Sequence, residues 1–234
     1  MNLAGLNLVI PDKPDLERDA VADAWTNSGG TVHRVARFWE PPELPSESVR
    51  LYGPDTFALV VAEKLGLTLL EPDPYAVAKC PQHLLLRKVE VMRLGAVAPE
   101  SLPKFIKPVV PKQFRAAVVS EFDALQEETR GLEPDTEILV SEVVEFIAEA
   151  RSFVLGGVVQ TTAIYEGTGN VDLAAKTCER IAMALDLPEA VVLDVGLLSD
   201  GRWAFVEANA AWGAGLNGCD PIQVVPCIAA ATRT

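Results

Sequence analysis

Residues Val191 to Asn209 read as two apolar strands folded about Asp200-Gly201, a dipeptide suited to a two-residue hairpin turn. A turn centred there sets Ser199 opposite Arg202 and, stepping outward, Asp194 opposite Glu207. Side chains directly opposite on antiparallel strands have Cβ atoms about 4.5–5.5 Å apart. Asn209, two residues beyond Glu207, points to the same face. Two carboxylates and an amide oxygen therefore meet on one patch of an otherwise apolar sheet. Carboxylates that close repel one another and lose hydration unless a cation lies between them. A few carboxylates on a rigid support, completed by water and phosphate oxygens, suit Mg²⁺. The hairpin thus implies a sheet with a metal-and-phosphate face, whose candidate ligands are Asp194, Glu207 and Asn209.

A formal net charge of −13 argues against nucleic acid as the main partner, since duplex binding draws on phosphate neutralisation by Lys and Arg. A phosphate ligand must then be met by a local basic site. Neither of the two histidines, His33 and His83, has a triad partner nearby in sequence, so His-dependent nucleophilic catalysis is not expected. Cys80, Cys178, Cys219 and Cys227 lack CxxC spacing and read as buried thiols rather than a zinc site or a disulfide framework. No apolar run approaches the roughly 18–20 residues of a membrane span. Met1 to Gly5 carries no basic n-region. A cytoplasmic protein without a membrane partner is the expectation; its oligomeric state is not legible.

Short strands alternate with helices over the first eighty residues: strands at Leu6–Ile10, Thr31–Phe38, Val49–Tyr52 and Leu67–Leu70, and helices at Leu16–Trp25 and from Pro54 to about Lys64. That alternation predicts a parallel sheet. The Pro-rich break from Glu71 to Pro81 divides the chain into a small α/β unit over 1–80 and a second unit over 81–234. In the second unit the pattern predicts a helix over Gln82–Arg93 and a strand over Phe105–Val110. A loop and a helix near Glu121 to Arg130 follow within 111–136, then a strand over Ile138–Val144. A hairpin is expected about Gly156-Gly157, a helix over Val171–Leu185, and a closing helix from about Pro221 to Ala231.

Three further segments carry candidate chemistry. Lys107 is a single lysine inside an apolar strand, costly to bury unless its ammonium meets an anion; facing solvent, it needs no partner. Glu142 and Glu149 flank an apolar stretch whose backbone suits an adenine edge, and carboxylates beside it accept from amino and ribose hydroxyl donors. Counting outward from Gly156-Gly157 pairs Arg151 with Thr162 and Glu149 with Ile164, which puts Arg151 and Glu149 on one face. An ion pair between them on a solvated sheet is the alternative. Finally, Gly213, Gly215 and Gly218 follow the proposed metal ligands, either letting backbone amides approach a phosphate or substrate, or forming a flexible turn.

Taken together, the segments resemble the ATP-grasp superfamily. The features are Tyr52-Gly53-Pro54, Phe105-Ile106-Lys107-Pro108, Ser141-Glu142 with Val144, Glu149 with Arg151 and Phe153-Val154, Val192 to Gly196, and Val206-Glu207-Ala208-Asn209-Ala210 with Trp212. They span roughly residues 50–222. The combination is most similar to uncharacterised ATP-grasp domain-of-unknown-function proteins. More distantly it is similar to the cell-division-cycle proteins that assist assembly of a translation initiation factor.

The resemblance implies an α/β (α+β) architecture in which two subdomains grip ATP, a nucleotide-lid part over about 81–142 and a metal-binding part over about 143–234, preceded by a reduced N-terminal domain. It implies that Lys107 contacts the nucleotide phosphates, helped by Arg87 or Lys88 on a preceding helix. It further implies that Glu142 with Val143 and Val144 reads adenine, that Glu149 reads the ribose, and that Asp194, Glu207 and Asn209 hold Mg²⁺. The implied activity is an ATP-dependent ligase that phosphorylates a small-molecule carboxylate to an acyl phosphate, then attacked by an amine or thiol. The alternative is an ATP-binding assembly factor without ligase activity. Two departures stand out: no glycine-rich flap follows the Lys-Pro strand, which leaves Lys112 to help cover the triphosphate. Val192 also stands where many relatives have a catalytic arginine, and Arg151 is the candidate replacement.

Overall fold

A computed structural model describes residues 2–234. Leu8, Val9 and Ile10 form a continuous apolar run, as a strand covered on both faces requires. Accordingly β1 (Asn7–Pro11) is the middle strand of a three-stranded parallel sheet. α1 (Leu16–Asn27) starts at Asp15, whose carboxylate accepts from the Arg18 amide at 2.9 Å. β2 (Thr31–Val35) and β3 (Val49–Leu51) flank β1. α2 (Asp55–Leu65) ends where Gly66 takes φ +65, the left-handed cap that glycine adopts without strain. β4 (Thr68–Leu69) follows, ahead of two short helices, α3 (Ala76–Lys79) and α4 (Gln82–Leu85).

The helix expected over Gln82–Arg93 is a correction. It stops at Leu85, Leu86 turns the chain at φ +53, and Val89–Arg93 is a strand, β5. Val89 and Val91 alternate with Glu90, a period of two that β-branched residues favour. Arg87 and Lys88 therefore lie in a link between helix and strand. β6 (Lys104–Pro108), β7 (Ala117–Val119), α5 (Phe122–Glu128) and β8 (Glu137–Ser141) complete an antiparallel sheet ordered β5-β8-β6-β7. β7, inside the stretch read as loop and helix, is too short to show a period. Ile106, Ile138 and Val140 pack with Leu125 of α5. Strand alternation then puts Lys107 and Leu139 on the opposite face.

The second sheet, ordered β10-β9-β11-β12, is antiparallel: β9 (Ala148–Leu155), β10 (Val158–Gly167), β11 (Ala190–Leu197) and β12 (Trp203–Ala210). α6 (Val171–Ala184) buries Ala174, Cys178 and Ile181 against one face, in a core with Ala150, Val154, Leu193 and Phe205. On the other face Phe153 and Val192 join the core of the N-terminal unit through α7 (Pro221–Ala230). β13 (Thr232–Arg233) then pairs with β4, so the end of the chain returns to that unit. Arg151 and Asp194 share the α7 face but lie beyond the helix, where the sheet floors a cavity.

Among the described residues no helix is long and apolar enough to cross a membrane. All four cysteines are free and buried, as their spacing predicts. Burial pushes Cys80 and Cys219 up to about 11, and Cys178 and Cys227 up to about 12. At pH 8 the native protein should therefore react with a disulfide reagent far more slowly than in guanidinium, where all four thiols titrate. Rapid labelling of the native chain would contradict this packing.

Candidate functional site

Asp194 and Glu207 are paired as the sequence predicts, but by a different route. The turn holds three residues, not two: the Leu198 amide donates to Arg202 O and the Gly201 amide to Leu198 O, each at 2.9 Å, with Gly201 at φ +84. The pairs Leu197–Trp203, Gly196–Ala204 and Val195–Phe205 are consequently one step out of the expected register. A bulge at Val206 takes the step back. It also reverses the alternation, so that Phe205 enters the core while Glu207 turns to Asp194's face; bulges beside functional sites often re-aim a side chain in this way.

The β9–β10 hairpin turns at Gly156-Gly157 as expected, yet its register also shifts, once between Val159 and Thr161 and again between Ile164 and Glu166. Arg151 therefore faces Ala163 rather than Thr162, and Glu149 faces Glu166 rather than Ile164. Tyr165, at the second shift, donates its hydroxyl to Glu149 and lays its ring 5.9 Å from the Arg151 guanidinium.

Because β11 lies between β9 and β12, Arg151, Asp194 and Glu207 form one row across three strands. Arg151 grips Asp194 with both ends of its fork, Nε to Oδ1 at 2.8 Å and Nη2 to Oδ2 at 2.7 Å. Its Nη1 donates to Gly215 O at 3.0 Å. Asn209 Nδ2 donates to Asp194 Oδ2 at 3.2 Å and Glu207 Oε1 at 3.0 Å. Lys107 Nζ stands 3.6 Å from Glu207 Oε2. The two carboxylates thus face two protein cations, Arg151 at Asp194 and Lys107 at Glu207. Burial pushes the Asp194 carboxyl above its usual range, while Arg151 and Asn209 offset part of the rise. Burial works against the Arg151 charge, but the bonds to Asp194 outweigh it and hold the guanidinium above its ordinary value. Protonating Asp194 would strand a buried cation, which opposes the effect of burial on the pair.

This row floors a cavity of about 900 Å³ roofed by the face of β6 and β8 that turns away from α5. Ten of the twelve candidate residues line it: Arg87, Lys107, Lys112, Glu142, Val143, Val144, Glu149, Arg151, Glu207 and Asn209. Asp194 lies just beneath, 2% exposed. Lys88 does not reach the cavity; its ammonium pairs with Glu90 at 2.7 Å. Arg87 is buried, and its bonds go to neutral acceptors: Ser141 Oγ at 3.1 Å, Leu85 O at 3.1 Å and Phe205 O at 2.6 Å. Burial accordingly lowers its pKa. Glu142 Oε2 accepts from the Lys88 amide at 2.7 Å, which fixes the link beside Val143 and Val144. Lys112 pairs with Asp55 of α2 across the mouth.

Residues 84–227 match the model of an ATP-grasp domain family, the second family of its clade. The chain belongs to that ATP-grasp family. No curated protein matches it in sequence. Among solved structures, an ATP-grasp RimK domain protein from Sphaerobacter thermophilus is 17% identical with a TM-score of 0.60, covering 96% of this chain and 98% of that one. The D-cycloserine synthetase DcsG is 14% identical with a TM-score of 0.60 and covers the same shares, 96% and 98%. The ATP-grasp ligase PsnB, solved with a minimal precursor, Mg and ADP, is 16% identical with a TM-score of 0.51, covering 97% and 99%. These likenesses concern the fold.

In this ATP-grasp chain, sequence reasoning missed Phe146. Its ring lies over Arg87 at 5.7 Å and lines the cavity. Gly196 makes room for it, since a Cβ there would come 2.3 Å from the ring. The one signal was a glycine inside an apolar strand, which marks a close approach. Trp212 is also in the lining, whereas Tyr165 and Asn217 are not.

Proposed function

We propose that this ATP-grasp protein is an ATP- and Mg²⁺-dependent ligase that joins a small-molecule carboxylate to an amine or thiol through an acyl phosphate. The observation that carries the reading is the Arg151–Asp194–Glu207 row with Asn209, facing Lys107 across a cavity of nucleotide size. Glu207 and Asn209 fit Mg²⁺, and Asp194, with three hydrogen bonds on about four lone-pair sites, keeps little to add. Glu207 is bound by one hydrogen bond and keeps lone pairs to spare, and Asn209 spends only its Nδ2 on the carboxylates. Asp194, Glu207 and Asn209 would hold the ion, which when bound supplies charge neutralisation among the phosphate oxygens.

Lys107 and Arg87 would bind the phosphates. Arg87 is preferred to Lys88 because it is a buried cation on the cavity wall without a carboxylate among its bonds. Lys112, released from Asp55, would close over them in place of a glycine-rich flap. Val143 and Val144 offer backbone groups to adenine beside Glu142, and Glu149 accepts from the ribose hydroxyls. Arg151, held by Asp194 and Gly215 O, needs no reorganisation to meet charge developing on the transferred phosphoryl group. The substrate carboxylate oxygen attacks the γ-phosphorus and ADP leaves. The amine nitrogen then attacks the acyl carbon, losing a proton as phosphate departs.

Calorimetry with ATP and Mg²⁺ should show binding, and a carboxylic-acid panel with hydroxylamine as acceptor should yield hydroxamate and ADP. Absence of ATP binding defeats the reading altogether. Tight binding without hydroxamate across a broad panel favours an assembly factor instead.

A further inference from the structure

The glycine-bearing loop after β12 forms a cavity wall that the nucleotide assignments leave unused, at Trp212, Gly213, Ala214 and Gly215. The N-terminal unit holds it from behind. Gly53 donates its amide to Trp212 O at 3.0 Å, Tyr52 its hydroxyl to Ala214 O at 2.9 Å, and Trp212 its indole N–H to Leu70 O at 3.0 Å. Glu17 of α1 does more: Oε2 accepts from the Leu216 amide at 2.9 Å and Oε1 from the Asn217 amide at 2.8 Å. Asn217 takes φ +48, so two successive amides converge as a backbone nest around one carboxylate. The same loop gives Gly215 O to Arg151 and donates Cys219 Sγ–H to the Arg151 carbonyl.

We propose that Glu17 is a positioning residue for the reaction. It fixes this loop as the substrate-side wall and, through Gly215, sets the direction of the Arg151 guanidinium. The inference rests on the ligase reading above. Two charge-assisted bonds from one carboxylate define both the loop's height and its tilt. Glutamine keeps the shape but turns one acceptor into a donor, set against an amide that also donates. Gly215 offers a second approach, because a Cβ there would come 2.7 Å from Glu17 Oε2 and push the carboxylate away from the loop side.

The test compares Glu17→Gln and Gly215→Ala with the parent in hydroxamate formation, ATP calorimetry and amide exchange. Misplacement at this distance should lower kcat about 10–100-fold. ATP affinity and the KM for ATP should stay within about twofold, since Lys107, Glu142 and Glu149 are untouched. Exchange at Leu216 and Asn217 should accelerate in Glu17→Gln. Parental kcat in both variants overturns the proposal, as does a loss of ATP affinity parallel to kcat, which marks general loosening. A parent that forms no hydroxamate from any acid fails the ligase reading itself, and the positioning role falls with it.

Discussion

Arg151→Met should lose about 3–5 kcal/mol of unfolding free energy and, with it, all measurable turnover. The cost comes from the partner left behind. Asp194 is 2% exposed and receives two of its hydrogen bonds from the guanidinium. Without Arg151, a buried carboxylate keeps only the Asn209 amide. Asp194→Leu should be similarly costly, since it strands the guanidinium against Gly215 O. Joining the two changes removes both charges, and replacement of a buried pair by apolar groups is often neutral. The double variant should therefore recover most of the stability while remaining inactive. Urea unfolding of the four proteins settles this through their midpoints and m-values. Single variants that unfold at the parental midpoint would mean the pair is solvated, and that Arg151 has no preorganised direction to lose.

For Lys107 the lone lysine in an apolar strand left two readings, an anion or open solvent, and an anion lies 3.6 Å away on Glu207. The Asp194–Glu207 pairing was legible only through two departures that cancel, a turn one residue longer than expected and a bulge that returns the step. Neither is local. The bulge exists because Phe205 belongs in the core and Glu207 outside it, a conflict visible only once α6 covers the sheet. In the other hairpin no second departure compensates at Arg151, and its cross-strand neighbour was misread. The strand at Val89–Arg93 was read as helix because Val-Glu-Val-Met-Arg is too short and too broken at Met92 to separate the two periods; pairing with β8 decides it. That error hid the choice between Arg87 and Lys88, which depends on which side chain faces the cavity. Glu17 lies 200 residues from the amide it binds, beyond any reading of motif spacing.

Glu207→Gln should behave oppositely to Arg151→Met, leaving stability nearly intact while abolishing metal-dependent nucleotide binding. The Glu207 side chain is 39% exposed, and glutamine retains an oxygen to accept from Asn209. Removing its charge also relieves repulsion with Asp194, so the unfolding midpoint should stay put or rise slightly, within about 0.5 kcal/mol. Binding should suffer far more. Altering groups that merely support a metal ligand costs about 10–100-fold in affinity, and Glu207 is the carboxylate of the set with the most lone pairs to give. ATP affinity measured by calorimetry with Mg²⁺ should therefore fall at least about 100-fold, to the level the parent shows in EDTA. In EDTA itself the variant should bind ATP no worse than the parent, because Lys107, freed of the neighbouring carboxylate, turns its full charge to the phosphates. Parental affinity for ATP with Mg²⁺ in this variant would remove Glu207 from the metal site, and leave the row as a structural ion-pair network.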